Sequence, residues 1–527
     1  MSALNVNVKH AGKTHAVSLD TSAPPANFKL AIQQVTGVPP ERMKVMIKGG
    51  VLKDDTDWKR VAPKAGQTFM VIGTAEALPE PPAKPIVFLE DLGDQDLAEA
   101  LKMPVGFKNL GNTCYMNATL QTMRAIPELK TALGSFNGSG PEGRLALALR
   151  DVYANMERTT DGFVPVVFLQ LLRQLVPQFA EQSRHGPGFA QQDAEECWTQ
   201  IVNQLNPLPG SGSGTGSAEK KFVEQYMMGE FSKEMRCIEA PDEPATVTRE
   251  PFKTLPCNIT IATNYMQQGI SDTMHQTIEK TSPSLGREAQ YTQETKITRL
   301  PANLVVHMVR FAWRRDIGKK AKIMRKVKFP FELDASEWCS DDLKAKMRPA
   351  ADKAKEVERD RRERAKVRRK TKSALGAAAA AGESSTSTAP AAADGDVPMT
   401  DSTTTPIAGG DLEPESTIRP RERALLDSLV HEDLKADEGA SVTGLYELVG
   451  IVTHKGAGAE SGHYIGFVRR DAFDGEDTTG LVTDEEVGWY KFDDDKVSIV
   501  PREKITALEG GGEDSVAYIL LYRSKKF

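Results

Sequence analysis

The sequence predicts an α+β protein made of two ordered units of unequal size. Three observations carry that reading. Over residues 1–73, apolar alternation at period two brackets one short helical stretch, in the order strand, strand, helix, strand, strand. Residues 74–86, TAEALPEPPAKPI, are rich in proline and interrupt the pattern as a linker. From residue 87 to 527, helical and strand periodicities follow one another over a length that exceeds one ordinary domain.

In the small unit, Val6 and Val8 alternate before a turn at Gly12-Lys13, and Val17 and Leu19 resume the alternation, which is a hairpin pattern. Residues 28–35 have helical spacing, stopped by Gly37 and Pro39-Pro40. Residues 43–47 and 68–72 supply two more strands. This order, with GKT in the first turn and GVPPER after the helix, resembles a ubiquitin-like domain of β-grasp fold. The resemblance implies that Met46, Met70 and Ile72 lie on the sheet face that such domains present to partners. The alternative is that they are ordinary half-exposed sheet residues. The last strand runs into Gly73 and the proline-rich stretch rather than a free Gly-Gly tail, so the unit reads as a fixed docking module.

In the large unit, helices are expected over 143–156, 168–179 and 191–205, the last with Asp193 in its first turn. Residues 207–217, PLPGSGSGTGS, read as a flexible loop, and residues 300–311, LPANLVVHMVRF, as a buried strand. A low-complexity charged insertion is expected at about 340–420. Residues 344–372 carry fourteen Lys or Arg against five Asp or Glu, and read as a solvated helix or, alternatively, as a nuclear-import or acidic-partner site. The Ala, Ser, Thr and Gly tract that follows lacks the apolar content to fold. Order returns at 425–430, then in GLYELVGIVTHKGAGAESGHYIGFVRR, GWYKFDDDKVSIV and the closing strand VAYILLYR.

Composition narrows the function. A net charge of −6 gives no reason to expect nucleic-acid binding. Five cysteines without paired spacing argue against a disulfide framework and for a reducing compartment. No uncharged apolar run reaches membrane-spanning length and the first residues lack a signal-peptide pattern, so a cytoplasmic and nuclear protein is expected.

The chemistry centres on residues 106–124, GFKNLGNTCYMNATLQTMR. Gly111-Asn112 reads as a turn, with Asn112 or Thr113 as N-cap, and Met116, Leu120 and Met123 recur at helical spacing. Cys114 therefore falls in the first helical turn, where unpaired N–H groups and the helix dipole favour a thiolate, the nucleophilic form. Asn109, five residues earlier, is placed to donate to a developing oxyanion. A free cysteine is ordinarily a small core residue, so partners elsewhere decide the case. His463, in SGHYIGFV after glycines at 456, 458 and 462, can move a proton for Cys114. Asp493, first of three aspartates after WYKF, can accept the other ring N–H. His307 and His454 sit among β-branched neighbours and read as structural.

GFKNLGNTCYMN, then QQDAEE, LPANLVVHMVRF, SGHYIGFV and WYKFDDD, in this order over about 105–527, closely resemble the ubiquitin-specific protease family of deubiquitinating enzymes. With the ubiquitin-like domain and FLEDLGDQDL, the chain looks like the proteasome-associated type. The resemblance implies a papain-like thumb–palm–fingers fold with Cys114 as nucleophile, His463 as general base and Asp493 as its orienting acid. It implies Asn109 in the oxyanion hole, with Asp494 as a fallback for either supporting role. It further implies Asp193, Gly462 and Tyr464 as contacts for ubiquitin, a movable glycine-rich loop over the cleft, and the 26S proteasome regulatory particle as docking partner. Many members hold zinc through two CxxC pairs. Here Cys197, Cys237, Cys257 and Cys339 are isolated, so no metal or other cofactor is expected.

Overall fold

The computed structural model describes residues 3–73, 103–138, 140–183, 187–211, 220–314, 318–382, 413–456, 458, 461–475, 487–511 and 515–526. The linker at 74–86, most of the 207–217 loop and the low-complexity tract after residue 382 lie outside them. The chain divides into two compact units, Met1–Asp91 and Leu92–Phe527.

The first unit is a β-grasp. Its sheet runs in the order Lys13–Asp20, Ala3–His10, Thr68–Ile72, Lys44–Ile47, Gly50–Val51, with Ala3–His10 and Thr68–Ile72 parallel and the other neighbours antiparallel. The hairpin turn puts Ala11 and Gly12 at φ 46° and 80°, the left-handed pair that suits the twist of a tight hairpin. The helix Pro25–Thr36 lies on the inner face, where Phe28 and Ile32 join Val6, Val8, Val17, Leu19, Val45, Phe69 and Val71 in one core. The period-two alternation places their neighbours outside. Met46 and Met70 are directly paired across two strands, and Ile72 follows on the same face. Their exposures are 39%, 53% and 54%, so an apolar patch faces solvent.

The second unit is organised on a twisted sheet ordered Lys496–Val500, Trp489–Asp493, His463–Arg469, Leu445–Lys455, Val516–Ser524, Asn303–Val309, Leu255–Asn258, with Glu332–Asp334 paired to Leu445–Lys455. Its central strands are apolar almost throughout because both faces are covered. Alternate residues divide accordingly. Val305, Val449, Val452, Ile519 and Leu521 enter one core, while Leu304, Val306, Leu448, Ile451 and Leu520 enter the other. The first core is closed by helices Cys114–Met123, Pro127–Ser135, Arg144–Met156, Val166–Leu175 and Ala194–Gln204. A separate antiparallel sheet runs in the order Thr246–Phe252, Gly229–Cys237, Glu288–Arg299, His275–Thr281. Cys237 is buried there against Ala289 and Tyr291, whereas Cys257 lies in the second core and donates to the Met266 carbonyl. Among the described residues no three His, Cys, Asp or Glu side chains gather to hold a metal, and no helix is long and apolar enough to cross a membrane.

The charged segment is not merely solvated. The helix Asp341–Gly382 begins inside the domain, with Leu343 and Met347 in the second core and Ala354 and Val357 packed with Leu426 and Leu445. These apolar positions are spaced four and three apart, a narrow stripe that the surrounding charges obscure in a composition-based reading. The antiparallel helix Glu415–Leu429 is stapled to it by Arg361–Glu422 at 2.7 Å, Arg364–Glu422 at 2.6 Å and Arg368–Glu415 at 3.2 Å. Deleting residues 345–415 should therefore lower both turnover and the melting temperature of the catalytic unit. Met347→Ala alone should cost about 2–4 kcal/mol, measurable by denaturant titration.

Candidate active site

Cys114 opens the helix Cys114–Met123, every residue of which is buried. The turn before it is as the sequence suggests, with Gly111 at φ 91° and Asn112 at φ 57°, and Thr113 is the N-cap. Asn109 organises this turn. Its Oδ1 accepts from the Gly111 and Thr113 amides at 3.0 and 3.2 Å, and its Nδ2 donates to Asp494 Oδ2 at 2.9 Å.

The helix can reach the histidine strand because that strand and its neighbour carry glycine where it lies on them. A Cβ on Gly466 would sit 3.1 Å from the Ala118 carbonyl oxygen, and one on Gly450 would sit 2.7 Å from Thr122 Cγ2. The close approach brings His463, first residue of its strand, beside Cys114, whose thiol is the strongest influence on the imidazole. The other side of the ring is held by Asp493, with His463 Nε2 donating to Asp493 Oδ1 at 2.6 Å. Asp493 ends the adjacent strand Trp489–Asp493, and its second oxygen accepts from Lys491 Nζ at 3.0 Å.

The electrostatics follow this geometry. The neighbouring Cys114 raises the imidazole most, burial opposes it and the bond to Asp493 adds to it, leaving His463 pushed up to about 9. Burial works against the Asp493 charge, but His463 and Lys491 outweigh it and hold the carboxyl below its usual range. The histidine is therefore a cation at neutral pH, able to give its proton to a leaving amine.

The structure brings Cys114, His463, Asp493 and Asn109 together. Asp494 joins them from a left-handed backbone at φ 53°, and its carboxylate bridges Asn109 and Asn117, accepting from Asn117 Nδ2 at 2.8 Å. Asn117 ends GFKNLGNTCYMN and Lys491 lies in WYKFDDD, but neither carries a spacing signal of its own. Asp193 caps the helix Ala194–Gln204 through the Glu195 amide at 2.7 Å and accepts from Tyr518 Oη at 2.6 Å. Any contact with substrate is additional to those bonds. Gly462, at φ 116°, is required by the backbone itself, since a Cβ would lie 2.1 Å from the Lys455 carbonyl oxygen. Tyr464 is 1% exposed and packs against His454 and Tyr518, so its side chain belongs to the core beside His463. Its position on the strand alternates inward from His463. The mobile-loop expectation falls partly on residues 457, 459 and 460, outside the described set.

A buried helix-terminal cysteine paired with a histidine and a carboxylate from adjacent strands defines a papain-like cysteine hydrolase. Residues 105–522 match the family model "Ubiquitin carboxyl-terminal hydrolase", and residues 5–75 match "Ubiquitin family". Ubiquitin carboxyl-terminal hydrolase 6 of Schizosaccharomyces pombe is 39% identical over 521 residues, covering 99% of this chain and 98% of that protein. The Arabidopsis thaliana protein named ubiquitin carboxyl-terminal hydrolase 6 is 35% identical, covering 97% and 96%. Ubiquitin carboxyl-terminal hydrolase 14 of Caenorhabditis elegans is 28% identical, covering 99% and 93%. The chain belongs to the ubiquitin carboxyl-terminal hydrolase family and is a thiol-dependent deubiquitinase with an N-terminal ubiquitin-like domain.

Because His463 binds its proton more tightly folded than unfolded, where it titrates near 6.5, its stabilising contribution is complete below that pH and is lost as pH rises through about 9. A pH profile of kcat/KM should descend over the same upper range. Asp493→Asn should move that descent to lower pH and reduce kcat. Gly466→Val should lower stability by about 1–3 kcal/mol, typical of overpacking, and slow turnover by pushing helix and strand apart, with the first read by denaturant titration and the second in kcat.

Proposed function

We propose that Cys114, His463 and Asp493 carry out hydrolysis after the terminal glycine of ubiquitin, on conjugates held at the proteasome. Cys114 attacks the carbonyl carbon as the thiolate, its charge balanced by the imidazolium, and the oxyanion forms beside the Asn109 amide. The C–N bond breaks as His463 protonates the departing amine, leaving a thioester. Water then gives one proton to His463 as its oxygen adds to the thioester carbonyl. The C–S bond breaks to restore thiolate and imidazolium, and ubiquitin's carboxyl loses its proton to solvent. Asp193 and Gly462 are proposed to border the path of ubiquitin's C-terminal tail. The observation that supports this chemistry best is the His463 ring bonded to Asp493 with Cys114 as its strongest electrostatic neighbour.

Docking on the 26S regulatory particle is supported by the exposed Met46, Met70 and Ile72 patch on a domain that carries none of the catalytic residues. Contiguous exposed apolar side chains mark interaction surfaces. Five free, buried cysteines fit the reducing cytoplasm and nucleus, where such a partner would be met.

Hydrolysis of a fluorogenic ubiquitin C-terminal amide, with and without purified proteasome, tests both parts. Activity should require Cys114 and rise with proteasome, and Met46→Glu with Met70→Glu should remove the rise. Cysteine-dependent activity indifferent to proteasome would move the docking partner elsewhere. Ubiquitin binding without turnover in any mixture would favour a non-catalytic regulator.

A further inference from the structure

Beside the His463 site lies a hydrogen-bond clamp made of two residues that the reading above leaves unassigned. Lys322 ends the short strand Lys319–Lys322. Its ammonium lies 3.1 Å from His454 Nδ1, 2.8 Å from the His454 carbonyl oxygen and 3.1 Å from the Gly456 carbonyl oxygen. On the far side of the same ring, His454 Nε2 lies 3.1 Å from the Ser461 carbonyl oxygen. These contacts fix the tautomer. An ammonium only donates, so Nδ1 accepts and Nε2–H donates to Ser461. Burial, and behind it the Lys322 charge, holds His454 down at about 4, so the ring is neutral at physiological pH. Burial and then Arg310 bring Lys322 down to about 8, which leaves it mainly charged there.

The ring is also held in place. Phe311, paired with Lys322 across the hairpin, meets His454 edge-on with centroids 5.4 Å apart, and Tyr464 packs at 4.7 Å. Among the described residues no carboxylate pairs with Lys322. A half-buried cation without a counter-ion is unfavourable unless hydrogen bonds compensate, and here its three hydrogens go to one short segment, 454–456.

That segment is one end of the glycine-rich loop, and Ser461 is at the other. Lys455 pairs with His463 in the sheet. Between the two ends the contact is bare backbone: a Cβ on Gly456 would lie 2.9 Å from Gly462 Cα. At that contact Gly456 and Gly462 bring no side chains that could interlock.

We propose that Lys322 is a positioning residue of the hydrolase. Acting through His454, it ties both ends of the glycine-rich loop together and so fixes His463 against Cys114. Neither Lys322 nor His454 touches the reacting atoms. The proposal rests on His463 being the base of the protease reading, and its test separates the two.

The full-length protein and its Lys322→Met, Lys322→Arg and Cys114→Ala variants would be compared. Three quantities would be read: kcat and KM for the fluorogenic ubiquitin amide, amide hydrogen exchange over 454–463, and melting temperature. Lys322→Met should lower kcat about tenfold, the order expected for losing a charge-assisted hydrogen bond. It should speed exchange at 454–456 and 461–463 while the rest of the sheet keeps its protection. Lys322→Arg should recover part of kcat. An unchanged kcat and unchanged exchange in Lys322→Met would overturn the proposal. So would a loss of kcat accompanied by faster exchange throughout the catalytic unit and a lower melting temperature, which is what a merely structural lysine gives. Activity that survives Cys114→Ala would instead contradict the protease reading, and the exchange comparison would still decide whether the clamp exists.

Discussion

The structure depends on how closely one buried helix lies on one sheet. Cys114 is useful only if its sulfur meets a ring carried almost 350 residues further along the chain, and that meeting is governed by the distance between helix and strand. Ordinary side chains at 450 and 466 would hold the two apart. Glycine at both positions lets the Ala118 carbonyl and the Thr122 methyl rest almost on the strand backbone. The penalty for glycine within a strand, about 0.5–1 kcal/mol each, is offset by burial of the whole helix Cys114–Met123.

Given that approach, the remaining polar groups act to fix charge and direction. Asp493 and Lys491 alternate on one strand and so point to the same side, where they form a short chain from lysine to carboxylate to imidazole. Asp494 must face the other way to reach Asn109 and Asn117, and the left-handed backbone at that residue turns it there. A non-glycine residue at positive φ is a local expense that surrounding contacts must outweigh. Here the Phe107 amide bonds to the Asp494 carbonyl at 3.0 Å, joining the segment before Cys114 to the segment after His463's partner.

The placement of Cys114, His463 and Asp493 is legible in the sequence because each sits in a compact local pattern: a turn before a helix, a glycine run before a strand, a strand ending in aspartates. Asp193 was read as lying in the first turn of its helix, and it is the cap of that helix. Less legible were residues whose role exists only across long separations. Asn117 and Asp494 are 377 apart in sequence, and Lys322 and His454 are 132 apart. The β-branched neighbours of His454 point to a structural residue, which fits its burial but omits what its two nitrogens hold. The helix Asp341–Gly382 misled for a different reason. Its charge dominates composition, whereas its attachment depends on Leu343, Met347, Ala354 and Val357, a stripe too narrow to dominate the composition of that segment.

The central claim is that one of five buried cysteines is activated by its position, and covalent capture tests it most directly. The full-length protein would be treated with ubiquitin bearing a C-terminal electrophile and its intact mass and tryptic peptides measured. The account predicts a single adduct, on the peptide carrying Cys114, lost in Cys114→Ala and strongly slowed in His463→Ala. An adduct on Cys197, Cys237, Cys257 or Cys339, or labelling of Cys114 at an unchanged rate without His463, would contradict it.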